Sequence, residues 1–259
     1  MSSDALIVDC IDGVLKLTIN RPDQRNALRM DLLDSLGQAL VDNAADQALR
    51  CALITAAGDR CFAAGGDLKE LDAIRTRAQA EAMSKRGRRA LDRVRQFPLP
   101  VVAALNGLAL GGGAELAMAC DLRVAAAHAE IGFLQGQLNV TTAWGGGIDL
   151  VATVGTSRAL ALLATARRIT ADEALSLGLF DRVCAPEQSL DDFIAEFLAP
   201  FLARTRGVLE GFKAITTGPR QAAHERLSAT EQRHFVETWI NDAHWDAVAQ
   251  ATARRQGKS

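Results

Sequence analysis

A chain of 259 residues, 49% hydrophobic and 23% charged, has the composition of a folded globular protein large enough for a substantial core. Its formal net charge of −2 offers no electrostatic footprint for a nucleic acid or an anionic membrane surface. The five cysteines, Cys10, Cys51, Cys61, Cys120 and Cys184, form no CxxC pair and have no closely spaced histidines. That argues against a metal site or a disulfide framework and for a reduced, cytoplasmic setting.

The N-terminal MSSDALIVDCIDG carries acidic residues and no long apolar run, so neither a secretory nor an Arg-rich transit signal is expected. Residues 5–8 and 14–19 read as strands joined by Asp12-Gly13, a hairpin signal. RPDQR at 21–25 reads as a loop, and residues 31–41 have helical spacing at Leu32, Leu33, Leu36 and Leu40. Residues 51–55 and 100–105 are short apolar strands, each running toward a glycine-rich turn. Residues 72–97 are polar and compatible with a helix. The run of Lys85, Arg86, Arg88, Arg89, Arg93 and Arg95 there reads as a solvated face, with phosphate contacts as the alternative. The apolar stretch 98–122 is interrupted by prolines, glycines, Asn106 and Glu115, which favours a buried strand plus helix over a membrane span. Residues 122–125 are strand-like, and Trp144-Gly145-Gly146-Gly147 opens a helical stretch through residue 164. Thr170 with Glu173 three positions later forms a capping-box signal. Beyond Pro200 the chain is helical in character, with Phe235, Trp239 and Trp245 as apolar anchors. Alternating strands and helices make this an α/β protein, with a helical last quarter as a separate packing element or oligomer arm. The pattern leaves the choice among α/β folds open.

The chemistry concentrates in two stretches, CFAAGGDLKEL at 61–71 and NGLALGGGAELAMACD at 106–121. Glycines running into a helix let a backbone N–H approach a ligand closely, and the helix N-terminus favours an anion there. Two such turns could supply two N–H donors to one developing oxyanion, with Glu115, three residues past Gly112, placed to exchange a proton with the anion's carbon. Either turn alone reads equally well as a tight turn or a close helix–strand contact. Glu115 alone is equally a buried helix-start carboxylate satisfied by N–H groups. The P-loop, GxSxG and HExxH patterns are absent, and the four histidines stand in no catalytic motif.

These residues resemble the enoyl-CoA hydratase/isomerase family, also called the crotonase superfamily. The likeness runs through Asn20-Arg21-Pro22, Asn26-Ala27-Leu28, FAAGGDLKE, NGLALGGGAELAMACDLRVA, WGGG and ITADEALSLGLFDRV. It implies an α/β crotonase (ClpP/crotonase-like) spiral of ββα units over residues 1–199 and a helical oligomerisation region over 200–259. It also implies a homotrimer or dimer of trimers, an acyl-CoA substrate, coenzyme A as part of that substrate with no other cofactor, and no nucleic-acid or membrane partner. Carried onto this chain, the oxyanion donors are the N–H groups of Gly66 and Gly112, beside Gly111. The CoA moiety would lie along Arg25, Asn26, Ala27 and Leu28 and along Ala63, Ala64, Gly65, Asp67, Leu68 and Lys69. Arg25, Lys69 and Lys213 are the phosphate candidates.

Hydratases of the family use a second glutamate twenty residues after the first, and that position here is Gln135. Glutamine is no general base, although its amide can hold a water or a carboxylate. Glu130 lies five residues too early and is expected to precede a strand on the solvent side. One carboxylate plus an oxyanion hole suits decarboxylation of a malonyl-type thioester, because loss of CO2 itself creates the enolate. IGFLQGQLNVTTAWGGG is similar to the ethylmalonyl-CoA and methylmalonyl-CoA decarboxylase branch. Some family decarboxylases place a tyrosine near this site, and this chain has none. Gln135, Thr142 and Trp144 would shape the pocket, Trp144 being equally a core anchor. The alternatives are an enoyl-CoA hydratase and a non-catalytic acyl-CoA-binding or RNA-binding relative.

Overall fold

The computed structural model describes residues 5–256, so the first four and last three positions of the expected regions lie outside it. β1 (Leu6–Ile11) and β2 (Val14–Ile19) form the expected hairpin, with Asp12 and Gly13 both at positive φ (48° and 83°) as a type I′ turn requires. α1 (Met30–Asn43) buries Leu32, Leu33, Leu36 and Leu40. The chain then repeats one plan. β3 (Cys51–Ala56), β4 (Cys61–Ala63), the short α2 (Leu68–Leu71) and α3 (Arg77–Arg95) make one unit. β5 (Val101–Leu105), β6 (Leu108–Leu110) and α4 (Gly112–Ala119) make the next, followed by β7 (Leu122–Ala125) and β8 (Glu130–Gly132).

The first strand of each pair joins one sheet, in the order β1-β2-β3-β5-β7, and the second joins another, β4-β6-β8. Both are parallel from β2 and β4 onward as far as these strands go. β3 and β5 are buried along their whole length, as strands covered on both faces must be, which explains their unbroken apolar sequence. β4, β6 and β8 are only three residues each and carry no periodicity long enough to read. The glycine turns follow these short strands, not β3 and β5 directly.

α5 (Gly146–Val154) and α6 (Thr156–Thr165) replace the single helix expected after Trp144, broken at Gly155 with φ 80°. β9 (Ile169–Thr170) closes the second sheet antiparallel to β8, and α7 (Ala171–Ser176) starts on Thr170, whose hydroxyl accepts from Glu173 N–H at 3.3 Å. Only half of the expected capping box forms, because the Glu173 carboxylate pairs with Arg167. β10 (Arg182–Val183) extends the first sheet beside β7. α8 (Leu190–Leu202) passes through the expected junction at residue 200 without a break at Pro200. It packs Phe193, Ile194 and Leu198 against β3, β5 and β7. α9 (Arg206–Trp239) runs back over α3 and α5, and α10 (Asp242–Gln256) follows. Phe235 and Trp239 join the main core.

Candidate active site

β4 and β6 are parallel neighbours, pairing Cys61 with Leu108 and Ala63 with Ala109, so their C-terminal ends emerge side by side. Both glycine turns leave from there. Gly65 (φ 103°) and Gly111 (φ 54°) take backbone conformations that a side chain would strain. A Cβ on Gly65 would stand 3.2 Å from Leu110 O and 3.7 Å from Gly112 N, so the turns are in van der Waals contact. Gly112 is the first residue of α4, where an N–H has no intrahelical acceptor. On the other turn, Leu28 N–H donates to Gly65 O (2.8 Å) and Asp67 N–H to Leu28 O (3.0 Å). That ladder uses the residues flanking Gly66 and leaves the Gly66 N–H outside it. The structure therefore places the turn that carries Gly66 beside the turn that carries Gly112.

Glu115, one turn into α4, is 2% exposed. Its Oε2 accepts from Trp144 N–H (2.8 Å) and Gly146 N–H (3.0 Å), and its Oε1 from Gln135 Nε2 (3.0 Å) and Ala143 N–H (3.4 Å). The three peptide donors belong to the turn that opens α5 and the amide to the 134–138 segment, none of them to Glu115's own helix. A Cβ on Gly146 would lie 2.4 Å from Glu115 Cγ, so glycine is what lets the turn close on the carboxylate. Burial pushes the Glu115 pKa up to about 7, the negative charge of Glu231 adds to the rise, and the peptide N–H bonds oppose it.

The remaining predicted residues divide between this site and the framework. Trp144 is 4% exposed and its ring is wedged between Gly87 of α3 and Gly112, where added Cβ atoms would come within 2.2 and 2.4 Å of it. It is a core anchor that also backs the Gly112 turn. Thr142 is buried and donates to Glu231 Oε1 at 2.6 Å. Asn26, expected along the CoA path, spends its side chain inside the protein. Its Nδ2 donates to Cys61 O (2.6 Å) and Ala57 O (3.0 Å), and its Oδ1 accepts from Arg21 N–H (2.9 Å). This amide stitches the 21–28 loop to β4, and the Asn26 N–H is likewise engaged, donating to Arg21 O at 2.8 Å. Leu28 and Ala63 are fully buried, Ala27 O accepts from Arg21 Nη1, and Ala64 N–H donates to Arg25 O. Asp67 is paired with Arg21 at 2.9 Å, so it too is internally engaged. Leu68 opens α2, but its side chain lies outside the described part of the structure. Arg25 and Lys69 are exposed, as a phosphate contact needs. Lys213 is not: it is buried against Asp121, Nζ to Oδ1 2.6 Å, and burial lowers its pKa. Glu130 opens β8 and pairs with Arg168 at 3.1 Å.

The basic run on α3 was expected to be solvated, and two of its members turn inward. Arg95 is 4% exposed and bonds Asp149 Oδ2 (2.8 Å) and Trp144 O (2.8 Å). Asp149 also accepts from Arg220 Nε (2.8 Å) and contacts His224 Nε2 (2.7 Å). Burial alone would raise its pKa, but Arg95, Arg220 and the His224 bond hold it far below the carboxylate range. Arg88 pairs with Glu231 of α9, which in turn accepts from Gly145 N–H at 2.9 Å. The sequence reading missed Glu231, Asp149, Arg220 and His224. Their partners sit 54 to 143 residues away in the chain, and no local spacing announces such pairs.

The chain matches the enoyl-CoA hydratase/isomerase family model over residues 10–252. It belongs to that family. A crotonyl-CoA hydratase of Syntrophomonas wolfei is 36% identical over 91% of this chain and 90% of its own length. An ethylmalonyl-CoA decarboxylase of Xenopus laevis is 30% identical over 94% and 82%. The crystal structure of an enoyl-CoA hydratase from Bacillus anthracis superposes with a TM-score of 0.80 at 30% identity, covering 91% of this chain and 92% of that one. One from Bacillus halodurans superposes with a TM-score of 0.87 at 19% identity, over 95% of this chain and all of that one, which speaks to the fold alone. This family member thus has the crotonase fold, and its identity to the hydratase exceeds its identity to the decarboxylase.

Proposed function

We propose that this family member is an acyl-CoA lyase that forms a thioester enolate between the Gly66 and Gly112 N–H groups, with Glu115 as its single carboxyl acid. The favoured reaction is decarboxylation of a malonyl-type acyl-CoA. The observation that carries this reading is the Gln135 Nε2 to Glu115 Oε1 hydrogen bond of 3.0 Å. An amide occupies the place of a second carboxylate, so only Glu115 is left to move a proton. The C–CO2 bond breaks, its electron pair enters the enolate, and the thioester oxygen takes the charge. Each preorganised N–H is worth about 3–4 kcal/mol to that oxyanion. The Glu115 carboxyl then gives its proton to the α-carbon and recovers one from solvent. A pKa of about 7 keeps a sizeable protonated fraction at neutral pH and makes the acid form scarce above it.

Hydration of a 2-enoyl-CoA is the second reading, favoured by the 36% identity to a crotonyl-CoA hydratase. In that case Glu115 would activate the water and Gln135 would orient it. The deciding experiment offers methylmalonyl-CoA, ethylmalonyl-CoA and crotonyl-CoA in parallel and follows CO2 release beside loss of the enoyl absorbance. CO2 release from a malonyl-type ester is expected. Turnover of crotonyl-CoA alone, at a rate that Gln135→Glu barely changes, would overturn the decarboxylase reading.

The same proposal includes a cytoplasmic enzyme with no cofactor beyond the CoA of its substrate, an oligomerisation role for residues 200–259, and assembly as a homotrimer or dimer of trimers. Val208, Phe212 and Ile215, exposed at helical spacing along α9, support self-association. No helix among the described residues is long and apolar enough to cross a membrane.

A further inference from the structure

The turn from Thr142 to Gly146 is gripped by two carboxylates at once. Glu115 accepts the N–H groups of residues 143, 144 and 146, and Glu231 accepts the intervening Gly145 N–H and the Thr142 hydroxyl. Four consecutive peptide groups are thus divided between an acid on α4, which takes three, and an acid on α9, which takes one. The two acids differ in one respect. Glu231 has the Arg88 guanidinium against it, in a pair whose side chains are only 13% and 9% exposed, while Glu115 has peptide and amide N–H groups but no cation. Two acids therefore grip one turn, and only the one on α9 has a guanidinium directly against its carboxylate.

We propose that Glu231 is a positioning residue for the Glu115 reaction. From α9 it fixes the turn whose N–H groups grip Glu115 and sets a like charge beside that acid. The other charged groups around Glu115 are accounted for. On α5, Asp149 is paired with Arg95 of α3 and Arg220 of α9 and hydrogen-bonded to His224. β4 offers only the Cys61 thiol, whose pKa burial raises to about 11, and β6 and the Gln135 segment have no titratable side chain. Glu231 is the acidic neighbour that shares the Glu115 turn.

The test titrates Glu115 directly. In full-length protein labelled with [δ-13C]glutamate, the Glu115 carboxyl resonance is assigned by its loss in Glu115→Gln and followed from pH 4 to 9. Glu231→Gln should move the midpoint down by about one pH unit, and Arg88→Gln, which leaves the Glu231 charge uncompensated, should move it up. The pH profile of kcat should follow both displacements. An unmoved midpoint, or both variants shifting the same way as a loosened turn would, overturns the proposal. Should Glu231→Gln not fold, Arg88→Gln carries the test alone, an upward shift supporting the proposal and none refuting it. The kinetic arm rests on the function proposed above and the NMR arm does not. Shifted midpoints without CoA-ester turnover would sink that function and leave this inference standing.

Discussion

Replacing Glu115 with glutamine should make the protein more stable above neutral pH while stopping its chemistry. The folded-state pKa of Glu115 is raised from 4.5 to about 7. The native state therefore binds a proton that the unfolded chain releases between those values, and stability falls as pH climbs through that window. At 1.36 kcal/mol per unit, the full loss is about 3 kcal/mol. The stability is fully present below pH 4.5 and gone above about pH 7. Glutamine fits the same place. Its carbonyl can accept from Trp144 and Gly146, and its NH2 can donate to the Gln135 Oε1, a buried atom that lacks a partner in the wild-type structure, once that amide turns over. Only the 3.4 Å bond from Ala143 is forfeited. Urea unfolding of both proteins from pH 4.5 to 8 measures the effect. The variant's stability minus the wild type's should rise by about 3 kcal/mol across that range. A difference that stays flat would refute the placement of an uncompensated carboxylate in this site.

Gly113→Ala should separate α4 from β4, since its Cβ would meet Ala63 O at 2.1 Å, backbone that cannot turn aside. A loss of about 3 kcal/mol in urea denaturation, together with loss of activity, is expected, and wild-type stability would show that the strand and helix are not so close. Asn26→Ala leaves the carbonyls of Cys61 and Ala57 without that donor. It should cost on the order of 2 kcal/mol by the same assay, and a neutral result would remove the amide as the stitch between the loop and β4. Asp149→Asn removes the buried carboxylate that Arg95 and Arg220 share, leaving them Asp92 and Asp121 at its margin. A loss of about 3–5 kcal/mol is expected by thermal unfolding, and an unchanged midpoint would contradict that network.

The parts of this molecule readable from sequence are those whose signals are local. The β1–β2 hairpin follows from alternation around Asp12-Gly13, α1 from its leucine spacing, and the two glycine turns from composition alone. Three-residue strands such as β4, β6 and β8 are invisible to periodicity and exist because a neighbouring strand pairs with them. Arg88 and Arg95 look like members of a solvated run because their acidic partners, Glu231 and Asp149, arrive from helices far along the chain. Asn26 has the composition of a loop residue that meets a ligand, yet its left-handed backbone (φ 53°) turns its amide inward onto β4. Lys213 fails as a phosphate contact for a related reason: Asp121, at the end of α4, holds it inside. Glu115 is saturated with N–H groups, but they come from the 143–146 turn and Gln135 and not from its own helix start, which no local spacing announces.

The role of Glu115 is tested most directly by solvent deuterium exchange at the α-carbon of butyryl-CoA, a saturated ester needing neither decarboxylation nor hydration. A site that stabilises a thioester enolate beside one acid/base should exchange one α-hydrogen with D2O, and Glu115→Gln should slow that exchange by about 100-fold or more. No exchange in the wild type, or exchange unchanged in the variant, would contradict the assignment of Glu115 as the group that moves the proton.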